Sequence, residues 1–383
     1  MMTIYLDHAA TTPVHPEVLE TMLPIYTHYY GNASSTHSAG REARSVVQRS
    51  RDSIASLLGC AASQLVFTSG GTESNNMSIL GATAARSSLG KHIITVQTEH
   101  HAVLHTCQYL EKLGFEVTYL PVDTNGQIEW NQLVQAIRSD TILISVMYGN
   151  NEVGTIQPIV EIGELARSKG IWFHVDAVQA LGAMELSLNS LPIDLMSFSA
   201  HKIQGPKGIG ALYIAKQIQL EPILHGGAQE RKRRAGTENV PGIAGFAKAL
   251  QIFIDHRYEM QQKMEKLRIE MITRLQEQLG TEQVVVNGHP TARLPHILNL
   301  SFPGISSETM LMNLDMEGIA AASGSACTSG SLEVSHVLQA MKLSEQVTAS
   351  AVRLSFGSSS SLQDIMTCTE KIVTIVTRIR NNY

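Results

Sequence analysis

Asp194-Leu195-Met196-Ser197-Phe198-Ser199-Ala200-His201-Lys202 is the stretch on which the fold turns. Its first six residues read as a short apolar strand, Asp194–Ser199, and the lysine follows among small and polar neighbours, ahead of Gly205-Pro206-Lys207-Gly208. In open α/β sheets, ligands bind in the loops beyond the carboxyl ends of the strands. Most lysines in such loops are surface residues. One presented inside a cleft has its pKa lowered by desolvation and can form an imine. Ser199 and His201 could donate hydrogen bonds to an anion beside it.

Working outward, further strands are expected at Leu65–Thr68, His92–Thr98, Glu116–Pro121, Thr141–Met147, Ile171–Asp176 and Gly210–Ile214. Helical patterns intervene at 38–58, 72–88, 102–113, 129–138 and 159–169. Strands alternating with helices imply a mostly parallel seven-stranded sheet flanked by helices, the α/β class. A long helical pattern starts at Pro241 and runs to Leu279. Beyond it come strands near 283–287, 296–302 and Val352–Phe356, and helices near 307–316, 332–341 and 361–380, an α+β module. The expected division is a large domain over 15–258 and a smaller α+β domain built from 1–14 and 259–383.

Length and composition set the outer limits. The 383 residues are 43% hydrophobic, enough for buried cores and too many for a disordered chain. The formal charge of -5 predicts neither nucleic-acid binding nor attraction to an anionic membrane, and Arg231-Lys232-Arg233-Arg234 is too short a basic run to alter that. Cys60, Cys107, Cys327 and Cys368 are widely separated with no C-x-x-C pair, which argues against zinc and a disulfide framework. No signal peptide and no run of about 18 apolar residues is present. A soluble, cytoplasmic protein with reduced thiols is the expectation.

The loops after the other strands carry matching chemistry. His174-Val175-Asp176 ends a strand with a carboxylate, which is a turn or helix-cap residue or the partner of a protonated pyridine nitrogen. With Lys202 at the end of a later strand, the second reading gains, and the pair suits pyridoxal 5'-phosphate (PLP). Thr68-Ser69-Gly70-Gly71-Thr72 stands at a helix start, offering N–H groups and hydroxyls to a phosphate. Neither a Walker P-loop nor a dinucleotide-binding glycine fingerprint occurs. His100 or His101 could lie on a heteroaromatic ring and move protons. An asparagine of Asn150-Asn151 could bond a ring hydroxyl.

Taken together, these segments resemble the class I cysteine desulfurases, the NifS/IscS-like group of fold-type I PLP enzymes. Tyr5–Pro13, Thr68–Asn76, Thr98–His100, Asn150–Gly154, His174–Gln179, Ser197–Gly210, Arg234–Asn239 and Ser323–Ser329 carry the resemblance across almost the whole chain. It implies that Lys202 holds PLP as a Schiff base and serves as base at the substrate Cα, that Asp176 pairs the pyridinium, and that His100 stacks on the ring. Asn151 and Gln179 would bond the ring oxygen, and Gly71, Thr72, Ser199 and His201 the phosphate. Thr237 would reach the phosphate of a neighbouring subunit, which implies a homodimer. Arg353, with Asn151, would hold the carboxylate of L-cysteine; an arginine on a strand is otherwise an ordinary salt-bridge partner.

Cys327 is the remaining group. Its neighbours in Ser323-Gly324-Ser325-Ala326-Cys327-Thr328-Ser329 are small and polar, whereas Cys60, Cys107 and Cys368 read as packing residues. The resemblance implies that Cys327 takes the substrate sulfur as a persulfide while L-alanine leaves, and that an iron–sulfur scaffold or a tRNA-thiolation enzyme receives it. No metal is expected in the catalytic site. A selenocysteine lyase or a small-amino-acid aminotransferase would also explain Lys202 and Asp176, but an aminotransferase leaves Cys327 without a role. Ala33, Ala228, Lys232 and Arg233 depart from the family pattern; Lys232 and Arg233 occupy a segment that more often contains glycine and an apolar residue.

Overall fold

Apolar runs of four to seven residues build the main sheet in this computed structural model, which describes residues 4–324 and 334–381. The chain opens with β1 (Ile4–Tyr5), α1 (Pro16–Thr27) and α2 (Ser38–Leu58). The α/β part follows as β2 (Leu65–Thr68), α3 (Gly71–Arg86), β3 (His92–Val96), α4 (His101–Lys112), β4 (Glu116–Leu120) and α5 (Trp130–Ala136). It continues through β5 (Thr141–Met147), α6 (Ile159–Ser168), β6 (Trp172–Asp176), β7 (Leu195–Ser199) and β8 (Gly210–Ile214). These strands form one seven-stranded sheet in the order β2-β8-β7-β6-β5-β3-β4. Every pairing from β7 to β4 is parallel, and β8 runs antiparallel to both its neighbours. The mostly parallel sheet expected from the sequence is therefore present. Helices cover its faces, so β5 and β7 are buried along their whole length.

After the sheet come α7 (Val240–Asp255), α8 (Arg257–Leu279), β9 (Val285–Asn287), β10 (Ile297–Ser301), α9 (Ser307–Met316) and β11 (Ile319–Ala320). The remainder is α10 (His336–Ala340), α11 (Glu345–Thr348), β12 (Ala351–Ser355) and α12 (Leu362–Asn381). β12-β10-β9 is an antiparallel sheet, and β1 pairs β11 in parallel. Two large apolar cores result. One gathers residues such as Phe173, Phe198 and Phe246 around the main sheet, and takes Val337, Leu338 and Met341 from α10 and beyond. The other joins Leu6 to Met271, Phe302, Phe356 and Ile372. Each fully buried large side chain contributes about 1.5–3 kcal/mol.

Two elements depart from the sequence reading. The single helix expected from Pro241 to Leu279 is two helices, broken at His256. α7 buries Ile243, Phe246 and Leu250 in the first core, and α8 buries Leu267, Met271 and Leu275 in the second. One continuous rod does not serve two cores in different directions, and histidine carries no strong stop signal. α1, which contains Pro24, has no counterpart in the sequence reading. Its buried stripe of Val18, Met22 and Ile25 packs on the first core and holds the helix despite the missing amide.

Candidate active site

Lys202 lies in the 3-10 turn Ala200–Lys202 that follows β7. Gly205 closes the turn, where a Cβ would meet the Ala200 carbonyl at 2.7 Å. Half-buried, the lysine turns back on the N-terminal segment: Nζ donates to Ala9 O at 2.6 Å and Ala10 O at 2.8 Å.

Beside it is an anion pocket lined by Thr11, Ser69–Glu73, Ser199, His201, Lys207 and Gly208. Gly70 has φ 151°, and no side chain caps α3, so the first amides of that helix point at the pocket without intrahelical acceptors. Gly71 is obligatory for space, since a Cβ there would press on Val178 Cγ2 at 2.6 Å. Ser199 Oγ is buried and has no hydrogen-bond partner. An orphaned hydroxyl beside free helix amides is the donor set of a phosphate site. Burial, then Lys202 and Lys207, push the His201 pKa down to about 4. His201 is therefore a neutral hydrogen-bonding group, with Nδ1 3.1 Å from Thr11 Oγ1.

Asp176 ends β6, buried, one strand away from Lys202. Its Oδ2 accepts from Asn75 Nδ2 at 2.6 Å and its Oδ1 from the Val178 N–H at 3.0 Å. His100 caps α4, its Nδ1 accepting the Ala102 N–H at 3.0 Å. Burial lowers its pKa, opposed by Asp176 and assisted by Lys202. A neutral His100 with Nδ1 so engaged carries its proton on Nε2. His101 and His105 stack at 4.9 Å between ring centroids, and His101 lies 4.7 Å from His336.

The other expected residues have their own surroundings. Asn150, not Asn151, shapes its turn, with Oδ1 accepting the N–H groups of Glu152 and Val153. Asn151 contributes its carbonyl to Arg353 Nη1 at 3.0 Å. Arg353 also pairs Asp7 at 2.8 Å, and its Nε is buried without a partner. Both the salt-bridge reading and a spare donor thus apply to it. Gln179 gives its amide to Ala9 O at 2.9 Å, faces His296 Nε2 at 3.3 Å, and lines a cavity together with Lys202. Thr237 is exposed and does not line the anion pocket. Cys327 lies outside the described residues. Burial pushes the thiols of Cys107 and Cys368 up to about 12 and that of half-buried Cys60 to about 11, which makes all three poor nucleophiles. The sequence reading assigns no role to Thr11, Lys207 or Asn75, whose roles depend on neighbours far along the chain.

The segment leading to Thr237 is strained. Glu230, Arg231 and Lys232 have φ of 44°, 57° and 66°. The buried Glu230 carboxylate holds this conformation, taking two bonds from Arg51 at 2.5 and 2.9 Å and one from the Phe67 N–H at 3.0 Å. Arg234 then ties the segment to Glu73 of α3 at 2.7 Å. Left-handed backbone costs a non-glycine residue about 1–2 kcal/mol. Lys232 is exposed. Lys232→Gly is expected to stabilise the protein by about 0.5–1 kcal/mol, after the extra entropy of glycine in the unfolded chain. A raised thermal midpoint checks this; a lowered one would show that the lysine side chain contributes more than its strain.

Residues 4–367 match the family described as Aminotransferase class-V. The chain is 49% identical over 381 residues to the "Putative cysteine desulfurase IscS 1" of Bacillus subtilis, covering 99% of this chain and 100% of that one. It is likewise 49% identical to the "Cysteine desulfurase IscS" of Methanosarcina thermophila, over 99% of this chain and 93% of the relative. Among solved structures, a "NIFS-LIKE PROTEIN" superposes with a TM-score of 0.93 at 37% identity, over 98% of this chain and all of the other. "SspA in complex with cysteine" superposes with a TM-score of 0.81 at 36% identity, over 92% and 99%.

Proposed function

Since the chain belongs to the aminotransferase class-V family, we propose that its site takes sulfur from L-cysteine onto Cys327 and releases L-alanine. The protein is a PLP-dependent cysteine desulfurase of the fold-type I architecture. The observation that carries the site assignment is the convergence on one rim of the sheet of Lys202, the Asn75-backed Asp176 and the orphaned Ser199 hydroxyl at the uncapped start of α3. Three strand ends supply an amine, a carboxylate and an anion cradle together.

These residues fit the cofactor. The amides of Gly71 and Thr72 with Ser199, His201 and Lys207 would hold its phosphate, and Asp176 its ring nitrogen. When bound, PLP supplies an aldehyde carbon for imine linkage and a protonated ring that withdraws electrons from the substrate Cα. Lys202 Nζ would hold that carbon and, as a free amine, would take the Cα proton. Asn75 Nδ2 fixes the Asp176 carboxylate and keeps it turned toward its partner. His100 Nε2 moves protons to and from the sulfur groups. Arg353 Nε and its neighbouring nitrogens bind the substrate carboxylate, with Asn151 beside them. The Cys327 thiolate attacks the substrate sulfur. An S–S bond forms as the Cβ–S bond breaks and its electron pair stays with carbon; a proton taken up at Cβ completes the methyl group, and Lys202 returns the proton to Cα to give alanine.

A homodimer is the proposed assembly. Leu19, Leu23 and Tyr26 of α1, with Tyr30 just beyond it, form a helical-period apolar stripe that is half exposed or more. Thr237 is exposed on the segment expected to cross to a second subunit. Sedimentation at micromolar concentration is expected to give twice the chain mass, and a monomer would exclude composite sites. A sulfur acceptor follows from the activity. An iron–sulfur scaffold or a tRNA-thiolation enzyme is the class proposed. No helix among the described residues is long and apolar enough to cross a membrane. A reducing cytoplasm, which keeps a persulfide-forming thiol available, is the proposed setting. The activity itself is tested by mixing the purified PLP-loaded protein with L-cysteine and a thiol reductant. Alanine and sulfide are expected in equal amounts, and pyruvate or transamination products in place of alanine would overturn the reading.

A further inference from the structure

Glu152 is almost fully buried in the turn after β5, and the chemistry above gives it no task. Burying a carboxylate is costly unless it is well bonded, so simple packing is a poor reason to retain one. Its surroundings supply a different reason. Ser335 Oγ donates to Glu152 Oε2 at 2.5 Å, while also accepting the Leu338 N–H at 3.2 Å as the cap of α10. Gly324 faces the same oxygen: a Cβ on it would overlap the Glu152 carboxylate and lie 3.0 Å from Ser335 Oγ. Gly324 and Ser335 stand on either side of the stretch containing Cys327, and both meet one carboxylate.

Glu152 is itself rigidly held. Its N–H donates to Asn150 Oδ1 at 2.8 Å, and its carbonyl accepts from Asn299 Nδ2 at 3.2 Å. The preceding carbonyl, Asn151 O, accepts from Arg353. The turn therefore touches the proposed substrate-carboxylate arginine on one side and both stems of the cysteine segment on the other. Burial raises the Glu152 pKa, and the Ser335 hydroxyl, His336 and Arg353 draw it back down.

We propose that Glu152 is a positioning residue for sulfur transfer: its carboxylate bonds Ser335 and packs against Gly324, the two stems of the segment that carries Cys327, and sets them beside Arg353. The proposal rests on the reading that Cys327 receives the sulfur. Gly324 is then glycine because any side chain would push the carboxylate off Ser335.

The test compares PLP-loaded wild type, Glu152→Ala, Glu152→Gln and Ser335→Ala in a single turnover with L-cysteine, following persulfide on Cys327. Visible absorbance of the bound cofactor and the affinity for L-cysteine are measured on the same samples. A misplaced reacting group costs about 10–100-fold, so Glu152→Ala is expected to slow transfer by that factor. Cofactor absorbance and cysteine affinity should stay near wild type. Ser335→Ala should slow transfer in the same direction. Glu152→Gln keeps an acceptor oxygen for Ser335 and should restore most of the rate. A wild-type rate in Glu152→Ala, or a loss of cofactor binding in step with transfer that Glu152→Gln does not repair, overturns the proposal. Cys327→Ala, run beside them, separates the two claims. Sulfide release that survives there overturns the Cys327 reading itself, whereas a normal rate in Glu152→Ala with inactive Cys327→Ala overturns only the role of Glu152.

Discussion

Lys202→Ala is expected to lower alanine formation from L-cysteine by about 10⁴-fold or more, even with excess PLP. Two losses combine. The substitution removes the amine that anchors the cofactor and with it the base for the Cα proton, and a positioned base alone contributes about 10²–10⁴-fold. Lys207, the lysine that lines the anion pocket, is exposed at its rim and is no substitute. The fold should survive, because Nζ bonds the backbone carbonyls of Ala9 and Ala10 from a half-buried position rather than filling an apolar core. Alanine produced over time is the readout, with partial recovery expected on adding a small primary amine. Activity within tenfold of wild type would remove Lys202 from the chemistry.

Cys327→Ala should cut sulfide release by more than about 100-fold while leaving cofactor absorbance and cysteine binding intact. No other cysteine can replace it. Cys107 and Cys368 are buried with thiols pushed up to about 12, and Cys60 is raised to about 11. At neutral pH fewer than about one in a thousand of such thiols is a thiolate. The Lys202 and Cys327 variants therefore fail differently: one loses the cofactor's linkage, the other keeps it and cannot accept sulfur. Equal loss of cofactor binding in both would show that Cys327 is structural.

The strand ends were the legible part of this molecule. Lys202, Asp176 and Gly70-Gly71 each follow an apolar run, and residue type plus strand position suffices to read them. What the sequence does not display is pairing across distance. Asn75 supports Asp176 from 101 residues away, and Ser335 meets Glu152 across 183. Gln179 is a further case: its bonds to Ala9 and His296 join it to residues 170 and 117 positions away. Left-handed backbone at 230–232 is equally silent, because glutamate, arginine and lysine carry no signal for positive φ; a buried ion pair to Arg51 imposes it. The break between α7 and α8 arises from two cores competing for one apolar pattern, which periodicity alone does not resolve.

The most direct test of the account is the mass of the peptide bearing Cys327 after the PLP-loaded protein meets L-cysteine without reductant. The account predicts a Cys327 peptide one sulfur atom heavier, with alanine formed in equal amount and no gain on Cys60, Cys107 or Cys368. Stoichiometric alanine with an unmodified Cys327 peptide would contradict it, because sulfur would then leave this enzyme by a route that bypasses Cys327.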